Sequence, residues 1–148
     1  MVSRLASYAA LTALLTPSVA TGADDPLAPY RWQARPLLVF SPPADERLRT
    51  QVAALDAARD GLRERDQLVW IVLPETIEAK VGPAPRVTEA EAAAALRRRF
   101  AIGEGDFAVI LVGKDGGEKL RQRTPLSVDA LFGTIDAMPM RRREMREQ

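Results

Sequence analysis

The chain has 148 residues, which is long enough for one domain with a substantial core and too short for two comfortable ones. Its 21 Lys and Arg residues nearly balance 20 Asp and Glu residues, so no charge excess draws it to nucleic acid or to a membrane surface. Cysteine and histidine are both absent, which excludes disulfides, thiol redox chemistry, the usual zinc sites and Ser-His or Cys-His catalysis. We therefore assign no metal, no cofactor and no catalytic residue.

The N-terminal segment has the pattern of a secretory signal peptide. Arg4 precedes an apolar run over residues 5–15, and small-x-Ala cleavage sites end at Ala20 and at Ala23. A membrane anchor needs about 20 apolar residues, roughly twice the length of this run. We expect export, removal of the signal within residues 1–23, and a periplasmic or secreted protein without a membrane span.

A lead-in segment and a first strand follow. Residues 24–34 are irregular and contain prolines, and we expect Tyr30 and Trp32 in this segment to lie against the first strand. That strand is the short apolar run Arg35 to Phe40. Pro36 is acceptable there only because it opens the strand.

The next stretch predicts a helix and a second strand. Ser41 is the predicted N-cap, because its hydroxyl can accept a hydrogen bond from a backbone N–H and the prolines after it suit the first helical position. Apolar residues then recur at helical spacing to about Leu62, and residues 68–73 form an apolar run without alternation. Strand, helix and strand of this length predict a βαβ unit.

A loop and a second helix come next. Residues 74–87 are predicted to be a loop, long enough to suggest function or disorder. Thr88 and Glu91 have the spacing of a capping box, which predicts a helix from there to Phe100. Arginines at 97–99 fill its last turn, where cations complement the helix dipole, and we interpret them as a solvated helix end.

A hairpin completes the predicted sheet. Residues 107–112 are apolar without alternation, which predicts a central strand covered on both faces. The glycine-rich stretch 113–117 is predicted to be the turn, and the charged stretch 118–122 an edge strand. A phosphate-binding loop would instead join a strand to a helix, so we interpret 113–117 as a hairpin turn.

The remaining segment predicts the last helix and fixes the fold class. Ser127 is its predicted cap, Pro139 ends it, and residues 141–148 are a solvated, charged tail. The order strand, helix, strand, helix, hairpin, helix is that of the thioredoxin fold. We predict an α/β protein: a single thioredoxin-like domain over residues 35–140, with a central four-stranded mixed sheet flanked by three helices.

Three stretches resemble one family within that fold. They are Arg31-Trp32 with the strand at 35–40, the Gly-Lys-Asp-Gly-Gly run at 113–117 with Lys119-Leu120, and the Ile-Asp-Ala-Met-Pro-Met-Arg run at 135–141. Together they resemble the prokaryotic DUDES-type domain of unknown function, over nearly the whole chain after the signal. The resemblance implies a thioredoxin-like domain, usually exported and related to modules of some animal extracellular-matrix proteins. It implies no activity.

The chain departs from redox proteins of this fold in two places. Those proteins carry a Cys-x-x-Cys pair between the first strand and the first helix, where this chain has Ser-Pro-Pro-Ala at 41–44. The usual cis-proline before the third strand is also missing, since residues 101–109 contain no proline. Both departures argue against disulfide exchange and against a peroxidase.

The start of the first predicted helix is the candidate binding site. A helix N-terminus with guanidinium groups nearby can hold a carboxylate or a phosphate, and Arg47 lies one turn inside while Arg35 precedes the strand. Arg35, Ser41 and Arg47 are therefore candidate contacts to an anion or a partner, a location that rests on analogy with the fold. Ser41 as a nucleophile would need a lysine base, and its capping role already explains it.

Three functions are open at this point. We predict an exported, non-redox binding or interaction module whose ligand is a protein or a small anion. The alternatives are an enzyme with unrecognised carboxylate- or lysine-dependent chemistry, and a structural protein of the cell envelope. A deep cleft that converges on Ser41 and Arg35 would favour the first two functions, and a smooth surface with one exposed apolar patch would favour an interaction protein.

Overall fold

The computed structural model describes residues 25–148, so the predicted signal peptide at 1–23 lies outside the described residues. The strands are Arg35–Phe40 (β1), Gln67–Val72 (β2), Ile77–Val81 (β3), Ala108–Val112 (β4) and Glu118–Gln122 (β5). The α-helices are Glu46–Ala57 (α1), Arg59–Glu64 (α2), Glu89–Phe100 (α3), Val128–Asp136 (α4) and Pro139–Arg146 (α5). A short 3-10 helix, Ala28–Tyr30, lies in the lead-in.

The strands form one mixed sheet in the order β3-β2-β1-β4-β5, which puts β1 at the centre. β1 pairs parallel with β2 and antiparallel with β4. The parallel pair confirms the predicted strand-helix-strand unit. β4 and β5 form the predicted hairpin, with β5 at the edge of the sheet. β4 is an inner strand beside β1, as expected, although the centre of the sheet is β1 itself.

The sheet separates two apolar cores, because β1, β2 and β4 are buried at every residue. Trp70 and Leu96 belong to the core on the α3 side. Leu55, Leu62 and Leu131 belong to the core under α1, α2 and α4. Helices on both faces explain why these strands carry continuous apolar runs rather than alternating ones.

The prediction of four strands and three helices is wrong in both numbers. The extra strand, β3, lies in the stretch 74–87 that was predicted to be a loop. Ile77 and Val81 are buried at its two ends, and the residues between them are partly or fully exposed. A short edge strand with Glu78 and Lys80 in its middle has no apolar run for a sequence pattern to detect.

The helix predicted to begin at Ser41 is two helices, α1 and α2, and it begins later. Asp45 caps α1, since its carboxylate accepts the backbone N–H of Arg47 at 2.8 Å. Ser41 is fully buried, and its hydroxyl donates to the carbonyl of Pro42 at 2.7 Å. The predicted cap was wrong because Pro43 restricts the residue before it to extended backbone, which delays the helix.

The predicted solvated tail at 141–148 is mostly helix. Pro139 was predicted to end the last helix, but it occupies the first turn of α5. Met138 is the N-cap of α5. Proline lacks only an N–H that the first helical turn leaves unbonded anyway, so it starts helices readily. Arg141 is 1% exposed, which shows that α5 is part of the packed domain.

Other local predictions have mixed outcomes. The capping box at the start of α3 and the Ser127 cap of α4 are both present. Tyr30 is buried edge-on against Trp70, with 5.7 Å between the ring centroids. Trp32 is 64% exposed, so the prediction that it lies against the first strand is wrong. Its backbone N–H donates to the Lys114 carbonyl at 2.7 Å, which fixes it beside the hairpin turn.

The arginines at the end of α3 were predicted to be solvated, but not all of them are. Arg97 is 7% exposed and donates to the carbonyls of Gly103 at 2.6 Å and Val72 at 3.2 Å. Burial lowers the pKa of its guanidinium. Arg99 donates to Asp25 at 3.0 Å and so ties the lead-in to α3. The exposed side chain of the remaining one, at 98, fits the prediction.

Candidate functional site

The three residues predicted to contact an anion do not come together. Arg35 begins β1 and Ser41 follows its other end, which separates them by about 20 Å at the rise of a strand. Arg47 lies in the first turn of α1, beyond the Ser41 end of β1. A cleft that converges on both Arg35 and Ser41, which would have favoured the binding module or the enzyme, is therefore not formed.

The N-terminus of α1 already holds a carboxylate. The guanidinium of Arg47 donates to Asp45 at 2.6 and 3.0 Å, in addition to the backbone cap. The hydrogen bond from Arg47 lowers the pKa of Asp45. Arg47 also lies over the ring of Phe107, 5.0 Å from its centroid. An anion at this helix end would meet the charge of Asp45, so the geometry does not favour the site, which stays a prediction.

A network of charged side chains lies at the opposite end of the sheet, where β1 begins. Residues from β1, the α2–β2 junction, the β4–β5 turn, α4 and α5 take part. Its cations and carboxylates are equal in number, so the network is neutral. We call it the basal cluster: Arg35, Glu64, Arg65, Asp66, Lys114, Asp136, Arg141 and Glu144.

Glu144 joins three of the cations in this cluster. It accepts hydrogen bonds from Arg35 at 2.9 and 3.3 Å and from Lys114 at 2.7 Å, and Arg141 lies 3.6 Å away. Burial by itself would raise the pKa of Glu144, but the hydrogen bonds from Arg35 and Lys114 outweigh it and lower the pKa to about 2. Since Arg35 is 1% exposed, Glu144 is the carboxylate that balances a buried charge.

Two further arginines tie α4 and α5 to the α2–β2 junction. Arg65 donates to both carboxylate oxygens of Asp136 at 2.8 and 3.0 Å and lies 3.9 Å from the centroid of the Phe132 ring. Its hydrogen bond is the main cause that lowers the pKa of Asp136. Arg141 donates to the carbonyl and the carboxylate of Glu64. The cluster therefore holds the C-terminal helices in a fixed position.

A cavity of about 320 Å³ opens beside the basal cluster, between the β4–β5 turn and the start of α5. This volume is at the lower end of the range for small-molecule sites, about 300–1,000 Å³. We call it the basal pocket, and its lining residues are Arg35, Gly113, Lys114, Asp115, Lys119, Met138, Pro139, Met140 and Arg143.

The lining cations of the basal pocket differ in how far their charges are balanced. Arg35 and Lys114 are bound to Glu144, and Lys119 donates to Asp115 at 2.8 Å. The hydrogen bond from Lys119 lowers the pKa of Asp115, which favours the ionised form of that carboxyl group. Arg143 is exposed and has no hydrogen-bond or ion-pair partner within residues 25–148. The guanidinium of Arg143 therefore lines the pocket without an ion-pair partner in this part of the chain.

A larger cavity, about 450 Å³, lies on the α3 side of the sheet. It runs between the lead-in, the end of the loop after β3, and one face of α3. We call it the α3 groove, and its lining residues are Asp25, Pro26, Pro29, Arg86, Val87, Glu91, Ala94, Ala95 and Arg98. It shares no lining residue with the basal pocket.

Two other features are absent over residues 25–148. In this part of the chain no group of three or more His, Cys, Asp or Glu side chains is arranged to hold a metal ion. No α-helix there is both long enough and apolar enough to cross a bilayer.

Comparison with known proteins gives the family and the fold. The family model described as "Domain of unknown function (DUF4174)" matches residues 26–144. The chain belongs to this family. Thioredoxin peroxidase I of Plasmodium yoelii is 19% identical over 82% of this chain and 81% of its own, with a TM-score of 0.56. The reduced 2-Cys peroxiredoxin of Plasmodium vivax is 17% identical over 80% and 84%, also with a TM-score of 0.56. These likenesses show the fold alone and confirm that the domain is thioredoxin-like.

The segments behind the family resemblance meet at the basal cluster. The backbone N–H of Trp32 contacts the turn at Lys114, and β1 supplies Arg35. The run at 135–141 supplies Asp136, Arg141 and the wall of the basal pocket. The three segments lie apart from one another in the sequence. The three segments stood out in the sequence, but nothing in the sequence showed that they lie together in the fold.

Proposed function

We propose that this member of the DUF4174 family is an exported, non-redox binding module that holds a small aliphatic carboxylate in the basal pocket. The observation that carries the proposal is the uncommitted guanidinium of Arg143 beside an apolar wall. Met138, Met140 and Arg143 all line the pocket from α5 and its N-cap, so apolar side chains and a cationic group share one wall. This combination describes an amphipathic anion better than it describes a sugar or a metal ion.

The apolar wall is suited to an aliphatic chain. Met138 and Met140 are partly buried and flank Pro139 at the start of α5. Methionine is unbranched and flexible, and it adapts to ligands of irregular shape. Arg35 and Lys114 also line the pocket, where Glu144 balances their charges. Arg143 is the lining cation whose charge no side chain within residues 25–148 balances.

The guanidinium of Arg143 is suited to a carboxylate group. Arginine can donate two parallel hydrogen bonds to a carboxylate, and such charge-assisted bonds contribute about 1.5–3 kcal/mol each. Asp115 is the single carboxylate that lines the pocket, and Lys119 neutralises it. A ligand carboxylate next to Arg143 therefore meets no unbalanced negative charge in the lining.

Titration with octanoate tests the proposal, with octanamide as an uncharged ligand of the same chain length. We expect octanoate to bind, to shift the NMR signals of Met138 and Met140, and to bind about tenfold more weakly to Arg143→Gln, which corresponds to about 1.4 kcal/mol. Arg142→Gln is the matched control, because Arg142 is an exposed neighbour in α5 that does not line the pocket. Equal affinity for octanamide, or equal loss in both variants, would overturn the proposal.

Export is the second part of the proposal, and the pattern of residues 1–23 supports it together with the resemblance to DUDES-type domains. The mature chain should begin at Thr21 or Asp24 and be recovered outside the cytoplasm. Mass measurement of the intact exported protein tests this. Recovery of the full-length chain with its first 20 residues still attached in membrane fractions would contradict it.

Catalysis gains no specific support from the site. The hydroxyl of Ser41 bonds to Pro42 and is fully buried, and no lysine is among its hydrogen-bond partners within residues 25–148. The Ser–Lys arrangement considered from the sequence therefore has no counterpart in the geometry around Ser41.

A further inference from the structure

Four arginines line the α3 groove or pair with its lining, against two carboxylates. Asp25 accepts hydrogen bonds from Arg99 at 3.0 and 3.1 Å and from the backbone of Leu27 at 3.1 Å. Glu91 is held by Thr88 in the capping box. Asp25 thus has two cationic partners, Arg99 and Arg31, whereas Thr88 is uncharged and leaves Glu91 with its negative charge. The two lining arginines, at 86 and 98, have no hydrogen-bond or ion-pair partner within residues 25–148.

The floor of the groove is small and apolar. Ala94 and Ala95 form it together with prolines of the lead-in, and the side chain of Val87 is 44% exposed at its edge. Val87 is one of three large apolar side chains that are strongly exposed within the described residues. Small side chains on a helix face let another backbone approach closely, and an exposed apolar edge favours contact with a partner.

We propose that the α3 groove binds an extended, acidic segment of a partner protein. Each of the two exposed guanidiniums can bind a carboxylate, and the alanine floor leaves room for a backbone with small side chains between them. Arg86 precedes the N-cap of α3 and Arg98 lies in its last turn. The ten residues from the cap to Arg98 rise about 15 Å along a helix.

We take this rise as the approximate spacing of the acidic residues, because Arg86 lies only two residues before the cap. An extended chain covers about 15 Å in four to five residues at about 3.3 Å each. The segment should therefore carry two acidic residues about four positions apart, with small residues between them. A proline between them would favour binding, because it holds the free peptide in extended backbone and lowers the ordering cost.

A blocked peptide, Gly-Glu-Ala-Pro-Ala-Glu-Gly, tests the proposal on the mature chain by NMR titration. Its control is the same peptide with Gln in place of both Glu residues. We expect the acidic peptide to shift the backbone amide signals of Ala94, Ala95 and Arg98, and the Gln peptide to bind at least tenfold more weakly. Binding should weaken as salt rises, because the arginines are exposed.

Two single variants and one control locate the contact. Arg98→Gln and Arg86→Gln should each weaken binding of the acidic peptide about fivefold, with melting temperatures close to that of the unchanged protein. Arg142→Gln, an exposed and unpaired arginine of α5, should leave binding unchanged. Equal binding of the Gln peptide, shifts confined to residues outside the groove, or equal loss in the control variant would overturn the proposal. Octanoate binding should be unaffected by Arg98→Gln, so this test and that of the basal pocket fail independently.

Discussion

Glu144 is the side chain on which the basal cluster most depends. Arg35 is almost fully buried, and within residues 25–148 its guanidinium donates, apart from Glu144, only to the carbonyl of Arg65, at 3.0 Å. A buried ion pair contributes little net stability compared with apolar residues, but removal of one partner strands the other charge. The pair therefore specifies where α5 lies, and its loss is costly.

Replacement of Glu144 by alanine should lower the free energy of unfolding by about 3 kcal/mol, the lower end of the cost of breaking a buried ion pair. Urea denaturation measures this. Glu147→Ala is the control, since Glu147 is exposed near the end of the same helix, and it should change stability by less than about 0.5 kcal/mol. Similar effects in both variants would show that Arg35 does not need its partner.

The same carboxylate predicts how stability depends on pH. The pKa of Glu144 is lowered from 4.5 to about 2 in the folded protein. A lowered folded-state pKa contributes stability that is fully present above the unfolded pKa and is lost as pH falls. The free energy of unfolding should thus decrease between pH 4.5 and pH 2, and Asp136, whose pKa is also lowered, adds to the trend. Glu144→Gln should flatten this dependence, and an unchanged slope would contradict the assignment.

At the scale of elements, the chain is held by apolar strands in its interior and by charges at its C-terminal end. α5 contains Pro139, Met140 and Met145 among charged residues, so apolar burial contributes little to its position. Its anchors are Arg141 and Glu144, which bond to α2, β1 and the β4–β5 turn. The helix is fixed by distant partners rather than by its own apolar face.

Truncation tests this view of α5. A chain that ends at Ala137 loses both anchors and should be destabilised by more than Glu144→Ala alone, because Arg35 and Asp136 both lose partners. A chain that ends at Arg146 lacks two exposed residues and should keep its stability within about 0.5 kcal/mol. Thermal unfolding of the two truncated chains distinguishes them. Equal stability would mean that residues 139–146 are a solvated tail after all.

These elements also show what a sequence can predict. β1, β2 and β4 were predictable because continuous apolar runs leave no other burial pattern, and the capping box fixed the start of α3. β3 was missed because its polar middle gives no apolar run, although its partner β2 is its neighbour in the sequence. α5 was missed because its position depends on partners far along the chain. The Arg35–Glu144 bond spans 109 positions. Charged residues at 141–148 look the same in a solvated tail and in a buried network until the fold brings their partners together.

At the scale of the whole molecule, the chain has a thioredoxin-like domain without the cysteines of a redox centre. The place between β1 and α1 where the fold carries reactive cysteines has a buried serine and, at the helix start, the carboxylate of Asp45. A helix N-terminus lowers the pKa of a thiol there through its free N–H groups. In this chain Asp45 accepts one of those N–H groups and adds a negative charge, both of which oppose a thiolate.

The protein should accordingly consume no hydrogen peroxide and exchange no disulfide, since both reactions pass through a cysteine thiolate. A sharper expectation is that Ser41→Cys does not restore the chemistry. Ser41 is fully buried, and burial raises the pKa of a thiol, so the new cysteine should react slowly with a thiol reagent in the folded protein. Ala44→Cys is the matched control, because Ala44 is exposed three residues later in the same connection. Both cysteines should react equally fast in denaturant. Rapid reaction of the folded Ser41→Cys variant, or peroxide consumption by it, would show that this place still favours a thiolate and that the redox centre was lost by the cysteine alone.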